Sequence, residues 1–380
     1  MAAAIGFALS LIVPSTMVVY KYGGLSGTIA YAVIAFCVLI GVHRHFGALV
    51  AAITVRDARV LAAALTVALV ITFWVGYPIA NSGLLGPGSD RDEHIQIGAT
   101  ELLQGRYPYY TLAPGYDSLI SQGPGALMLA VPFVLLGHAA YQNLFWLLAL
   151  MAALALVWRD PRPAVLLVTI VIACAPIVLR EYVTGGDLLA NSIYVTLFVV
   201  WLVQSVSMAT APAWQKITAA IALGIGLSSR PHFALVTPLV FSALLHRAGV
   251  GAAIRYSAVA GAAAMLITLP FYLYDPAAFT PLSTSDFVYD PDDPRWLEVP
   301  FIVVLSVLPF VLAIGPAIAE TRVLLQRCTV VLAVTILGLI PLPVPQGDPP
   351  DYYLALYGLS FVFFGVLGFM PRVTAHESRR

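Results

Sequence analysis

The sequence predicts an all-α polytopic membrane protein, a bundle of about 12 transmembrane helices, and three observations carry that prediction. Of 380 residues, 60% are hydrophobic and 10% charged, where a soluble chain carries roughly 25% charged residues and about 45–50% apolar ones. Mean hydropathy is +0.91, and the apolar residues gather in runs close to the about 20 needed to cross a bilayer. The 29 Gly and 27 Pro suit helices that are broken and bent around cavities. With 19 basic and 19 acidic residues, no surplus of positive charge points to nucleic acid. The seven His form no HxxxH or HExxH spacing. Cys37, Cys174 and Cys328 are odd in number and far apart, which excludes a disulfide framework and a Cys-based zinc site.

In chain order, apolar runs fall near 3–20, 25–42 and 59–80. The first lacks a basic leader and a small-residue cleavage site, so it reads as a retained helix. The stretch 124–137 is about half a span and reads as a half-helix that dips in from one face, tolerated where it lines protein or a cavity. Further runs lie at 139–157, 163–179, 188–206, 253–273, 299–318, 327–341 and 352–370. The pair 217–229 and 232–245 is short, which places its joining turn beneath the membrane surface. Inner loops are brief, so residues 1–380 read as one transmembrane domain with no soluble domain and no internal repeat. With both termini cytoplasmic in a plasma membrane, 13 of the 19 basic residues fall inside, among them Arg44, Arg56 and Arg59, as the positive-inside rule expects. Of the 19 acids, only Asp57, Asp160, Glu320 and Glu377 fall inside. The outer face is acidic.

The outer loop 81–123 holds most of the candidate chemistry. Gly83, Gly86, Pro87 and Gly88 break the preceding helix, and Ser89 or Asp90 can cap a new one. From Asp92 to Gln104, Ile95, Gly98, Ala99 and Leu102 recur at helical spacing, which predicts a short helix along the membrane surface. Gly105 ends it, and Tyr107, Pro108, Tyr109 and Tyr110 supply an interfacial aromatic belt. Asp90, Asp92 and Glu93 crowd three carboxylates at the helix start, where repulsion raises a pKa or draws in a cation. The bland alternative is a solvated acidic helix start that complements the macrodipole. Asp187, after Gly185 and Gly186, is either a plain N-cap or a second acidic site. Arg180 and Glu181 nearby read as an ordinary interfacial pair. Arg230, at the turn of the short pair, is either a snorkelling side chain or a cation facing a cavity at membrane depth. His232 beside it reads as packing.

This order of features resembles the first outer loop and following helices of the GT-C glycosyltransferases, multispanning enzymes that use polyprenyl-phosphate sugars and include the aminoarabinose and protein mannosyltransferases. Asp92-Glu93, then Ala99, Leu102-Leu103, Gly105 and Pro108-Tyr109, is similar to the family's acidic pair, surface helix and aromatic-Pro stretch. Gln122-Gly123-Pro124-Gly125 and Leu127–Leu136, closed by Gly137, match its half-helix. Asp187 matches its second acidic position, and the segment from Ala222 through Arg230-Pro231 to Pro238 its basic helix pair. The resemblance covers roughly residues 60–250. Two predicted helices precede the acidic loop where most members have one, and the large soluble C-terminal domain of many members is missing.

The resemblance implies transfer of a sugar from a polyprenyl-phosphate donor to an envelope lipid, glycan or protein at the outer face, with inversion. Asp92 is the expected general base, with Asp90 or Glu93 as substitutes. Arg230 would hold the carrier phosphate, Asp187 would position the acceptor or help bind a metal, and Arg180 and Tyr109 would line the substrate. The metal is open in the resemblance: Asp90-Arg91-Asp92 is a DxD, which in some relatives holds a divalent ion, while other relatives work without one. Besides these substrates, the expected partners are membrane lipids. The loop 274–298 either covers the acceptor or is a solvated linker. Loop 341–351, with Tyr352 and Tyr353, either shapes the cavity or only turns the chain. A lipid or sugar transporter or flippase, and a non-catalytic envelope scaffold, are the rival readings; few charges lie mid-membrane where alternating access needs them.

Overall fold

The computed structural model describes residues 1–84, 89–110, 119–283, 298–342, 344 and 350–371, without the side chains of 283, 298 and 299. Several sequence readings lie outside the described residues. These are Gly86, Pro87 and Gly88 as helix breakers, and Asp286, Asp290, Asp292, Asp293 and the Glu298 side chain in loop 274–298. Most of the loop before Asp351, and Asp117, Arg295, Arg372, Glu377, Arg379 and Arg380 from the charge count, are the others.

The described residues are helical, with no β-strand among them. The helices are α1 (Ala2–Ala51), α2 (Val55–Ala80), α3 (Arg91–Leu103), α4 (Pro124–Leu135), α5 (Tyr141–Trp158), α6 (Pro161–Cys174), α7 (Pro176–Thr184) and α8 (Leu188–Ser207). Then come α9 (Ala213–Leu227), α10 (Thr237–Ala248), α11 (Val250–Tyr274), the single turn α12 (Thr280–Ser283), α13 (Glu298–Ala313), α14 (Thr321–Leu339) and α15 (Leu359–Phe369). Short 3-10 segments occupy Pro108–Tyr110, Pro231–Val236, Pro316–Ala319 and Tyr352–Gly358. Seven helices are long and apolar enough to cross a membrane, or eight when α6 and α7 are taken as one bent span. The chain is a helical membrane protein.

That number is smaller than the predicted 12 for local reasons. Runs 3–20 and 25–42 lie in the two arms of α1, which meet at a kink at Gly24 (φ 60°, ψ −166°), a conformation open to glycine alone, and α1 counts once among the seven. Helices α9, α10 and α13 have 15, 12 and 16 residues, shorter than a full span. The run 163–179 is split, because Pro176 cannot continue α6, and α6 and α7 bend by 86°. Cys174, the last residue of α6, has its carbonyl satisfied by the Tyr31 hydroxyl at 2.9 Å. The half-helix is present as α4, with Pro124 in its first turn, where a missing N–H costs nothing.

The chain divides into two compact units. Unit 1 comprises 1–89, 140–193 and 355–380. Within it α1 packs on α6, α7 and α15, and α2 on α6 and α7. The Tyr182 hydroxyl donates to the Leu69 carbonyl at 2.8 Å, tying α7 to α2. Unit 2 comprises 90–139 and 194–354. There α11 packs on α9 and α10, and α3 on α4. A Cβ at Gly224 would stand 2.3 Å from the Ala260 carbonyl oxygen, so α9 and α11 meet backbone to backbone. Ile95, Ala99, Tyr109, Ile120, Leu127 and Phe279 are among the residues of a buried core beneath α3 and α4.

Candidate functional site

Within unit 2, α3 forms almost where the apolar spacing puts it. Its end is a Schellman motif: Gly105 (φ 69°) donates to the Leu102 carbonyl, and Arg106 N–H to the Glu101 carbonyl at 2.9 Å. Helix α4 closes the same way through Gly137 (φ 121°), with His138 N–H on the Phe133 carbonyl at 3.1 Å. The Gln96 side chain takes the Ala139 N–H at 2.8 Å, docking α3 on the end of α4. At its start, Asp90 occupies the N-cap position but makes no side-chain cap bond. Its φ −86° and ψ −4° are helical, unlike the extended backbone that turns a capping oxygen onto the helix.

Segment 119–123 joins the parts of the site. Gln122 Nε2 donates to the Arg91 carbonyl at 3.2 Å. The Gln122 carbonyl accepts the Tyr109 hydroxyl at 3.2 Å. One residue earlier, Arg230 Nη1 donates to Ser121 Oγ at 3.0 Å and to its carbonyl at 3.3 Å. One residue later, Gly123 N–H donates to the Ser229 carbonyl at 2.9 Å. Gly125 N–H then meets Ser228 Oγ at 3.1 Å, and that hydroxyl pairs with Thr268 Oγ1 of α11 at 2.8 Å. Thr280 in α12 donates to the Ile120 carbonyl at 2.5 Å. Residues 120–125 thus gather α3, the Tyr109 turn, the end of α9 and α12, and through Ser228 also α11.

The predicted site residues take distinct places. Asp92 has no exposure, and Arg91, His94 and Arg230 are buried with it. The solvated reading of the helix start is therefore wrong for Asp92, because the face of α3 that carries Asp92, Ile95 and Ala99 packs inward. Burying a carboxylate demands nearby compensation, and the same unit supplies two buried guanidinium groups. Glu93 turns a buried Oε2 that no hydrogen bond reaches among the described residues, and its charge is felt at His138. Arg230 is held inside and does not snorkel. Its backbone is extended (φ −151°, ψ 136°) between α9 and the following 3-10 turn.

Tyr109 corrects the belt reading: it is 2% exposed, edge-on to Phe271 and Phe279, while Tyr110 is exposed. Burial pushes the Tyr109 phenol well up, neighbouring Tyr107 adds to this, and the Arg230 cation pulls it back. Tyr107 caps the end of α11 through the Phe271 and Asp275 carbonyls, both at 3.2 Å.

Asp187 and Arg180 belong to unit 1. Asp187 is buried, and its Oδ2 accepts from Asn191 at 2.6 Å. The first N–H of α8, on Leu188, is taken by Glu181 Oε1 at 3.1 Å. Asp187 stands directly before α8, and the tight Gly185-Gly186 turn, where a Cβ at Gly186 would meet Glu181 Oε1 at 2.3 Å, brings the Glu181 carboxylate to the same helix start. Arg180 Nη1 lies 3.6 Å from Glu181 Oε2, a fully buried carboxylate against a partly exposed guanidinium.

For a divalent metal the residues do not fit. Among the described residues no group of three or more His, Cys, Asp or Glu is placed to hold one, although Asp90, Asp92 and Glu93 are close in sequence. Sequence reasoning gave Ser121, Gln122, Arg91 and His94 no role in the site. The signal for Gln122 was a polar residue directly before the Gly-Pro that opens an apolar helix. No family model, curated protein or solved structure matches the chain.

Proposed function

We propose that this chain is a membrane glycosyltransferase of GT-C type, moving a sugar from a polyprenyl-phosphate donor to an envelope lipid, glycan or protein. One observation carries the reading. The fully buried Asp92 sits on a helix turn held by Gln122, and the buried Arg230 is held by the adjacent Ser121. A carboxylate to take a proton and a guanidinium to hold a phosphate are the two groups the reaction needs.

The acceptor's O–H or N–H gives its proton to the Asp92 carboxylate as the acceptor atom bonds to C1 of the sugar. The bond from C1 to the phosphate oxygen breaks and its electron pair leaves with the polyprenyl phosphate. Arg230 holds that charge through paired N–H donors. A single in-line displacement inverts C1. No step is routed through a metal.

In this reading the two arms of α1, helix α2, helix α5, the α6–α7 pair and helices α8 to α11 and α13 to α15 make twelve crossings, with α4 as a half-helix. Helix α3 and most acids lie at the outer face of the plasma membrane, and both termini are cytoplasmic. The test is transfer from polyprenyl-phosphate sugars by the purified chain in nanodiscs. Asp92→Asn, folded and inserted, abolishes product. A wild-type rate in that variant sinks the reading, and uptake of sugar into proteoliposomes with no covalent product supports a transporter instead.

A further inference from the structure

Helix α11 is long and apolar enough to cross a membrane, and its end carries a cluster of groups that the transfer chemistry does not use. Tyr274 is the last residue of the helix and Asp275 follows it, at the level where a lipid's polar headgroup meets the end of a span. The Tyr107 ring lies 4.6 Å from that of Tyr110 and 5.0 Å from that of Tyr274, centroid to centroid. Tyr107 is half-buried and fixed by its hydroxyl on the Phe271 and Asp275 carbonyls. Tyr110 is 56% exposed and Tyr274 70%. Two open tyrosine rings thus pack on one fixed ring.

The Asp275 carboxylate belongs to the same cluster. Its Oδ1 accepts the N–H groups of Ala277 and Ala278, both at 3.1 Å, and its Oδ2 accepts the Tyr110 hydroxyl at 2.7 Å. The Tyr110 phenol, together with these N–H groups, holds the carboxyl below the ordinary carboxylate range, so it is ionised at neutral pH. No cation pairs with it among the described residues. Arg106, next to Tyr107 in the chain, is closed in a two-bond pair with Glu101 at 2.5 and 2.7 Å. An ionised carboxylate with open tyrosine rings around it and no protein cation is half of an ion pair.

We propose that Tyr110, Tyr274 and Asp275 form a binding site for the primary ammonium of a lipid headgroup, as in phosphatidylethanolamine. Oδ1 of Asp275 already accepts two bonds, whereas Oδ2 accepts one and keeps a lone pair for another. One N–H of an ammonium group meets that lone pair. The Tyr110 hydroxyl holds Oδ2 at the rim of its ring, so the ammonium comes within reach of the negative ring faces. A quaternary ammonium has no N–H to give the carboxylate, and choline lipids bind less well. A headgroup with a phosphate and no amine meets only repulsion from Asp275. The place of the cluster, at the end of a membrane-length helix, selects a lipid over a soluble amine. The site lies within unit 2 and does not rest on the reaction assigned to Asp92 and Arg230.

The test offers the full chain, purified in detergent, equal amounts of phosphatidylethanolamine, phosphatidylcholine and phosphatidylglycerol, and reads the retained lipid by native mass spectrometry. The wild type keeps phosphatidylethanolamine about two- to fivefold above the other two. Asp275→Asn keeps the turn, since its amide oxygen can take the Ala277 and Ala278 N–H groups, and loses the preference. Tyr274→Leu lowers the preference, while Tyr274→Phe, which keeps the ring, retains it. Equal retention of the three lipids by the wild type overturns the proposal, as does a preference for phosphatidylcholine. So does an unchanged preference in Asp275→Asn or Tyr274→Leu. Ethanolamine added at the lipid's concentration leaves the lipid bound; displacement of the lipid would mean a site for a soluble amine and overturns the assignment to a headgroup. The Asp92→Asn protein keeps the wild-type lipid preference, so loss of lipid selectivity and loss of sugar transfer are separate failures.

Discussion

Gln122 holds the carbonyl of Arg91 through its side-chain amide at 3.2 Å, although 31 positions separate them. The bond fixes the first turn of α3, and with it Asp92, against the residue that leads into α4. Gln122→Leu removes this bond, at a cost of about 0.5–1.5 kcal/mol, while the carbonyl keeps its place in the helix ladder. Displacement of the Asp92 turn by a fraction of an ångström lowers the transfer rate about 10- to 100-fold. Donor KM stays near wild type. Steady-state transfer kinetics in nanodiscs check this; an equal fall in donor affinity would place Gln122 at the carrier instead.

Arg230 and a lysine are not equivalent at this position. The guanidinium donates from Nη1 to Ser121, and its N–H donors form a planar fork that an ammonium lacks. Arg230→Ala weakens donor binding about 10- to 100-fold, the worth of a hydrogen bond to a charged group at about 1.5–3 kcal/mol. Arg230→Lys recovers part of the loss by charge alone. Equilibrium binding of polyprenyl phosphate to the three proteins reads this order directly, and equal affinities remove the residue from the carrier site.

Gly123 has no room for a side chain. A Cβ there would stand 2.1 Å from the Ser228 carbonyl oxygen and 3.1 Å from that of Ser229, and the Gly123 N–H is bonded to Ser229 in the same place. Gly123→Ala therefore forces α4 away from α9, at a cost of about 1–3 kcal/mol or more. Gly47→Ala, where nothing lies within 4 Å, is neutral or mildly stabilising. Thermal unfolding of both variants tests the contrast; equal midpoints would mean that the close approach is absent.

His138 makes stability depend on pH. Burial holds its imidazole below the ordinary value of 6.5, and the Glu93 charge offsets this in part. The unfolded chain therefore binds a proton at a higher pH than the folded one. Stability is full above about pH 6.5 and declines as pH falls through the folded value. His138→Gln flattens this part of the profile, and Glu93→Gln carries the decline to lower pH. Unfolding midpoints between about pH 8 and pH 5 check the sign, and an unchanged slope in His138→Gln overturns it.

Local signals were legible in the sequence. The end of α3 at Gly105 and of α4 at Gly137 follows from single glycines whose positive φ closes a Schellman turn, a cause contained within six residues. The apolar spacing of Ile95, Gly98 and Ala99 found the inward face of α3. What it missed was that Asp92 shares that face, since spacing among apolar residues ignores the charged residues between them. Tyr109 read as an interfacial ring because Tyr107 and Tyr110 flank it, yet Phe271 and Phe279, more than 160 positions away, enclose it. The same distance hid Gln122. Asp187 read as a cap or a second acidic position, and only the fold of Gly185 and Gly186 shows Glu181 beside it on the Leu188 N–H.

The break at Gly24 has a consequence for how the chain enters the bilayer. Fifty residues of unbroken helix would measure about 75 Å, more than twice the about 30 Å of hydrocarbon. One glycine makes two membrane-length arms of it, with Lys21 the only charge before Arg44. In the arrangement proposed above, with both arms across the bilayer, no long polar loop separates them. Arg44 lies near the end of the second arm, and Arg56 and Arg59 follow it. The two arms then enter lipid as one hairpin with its basic residues gathered at the far end.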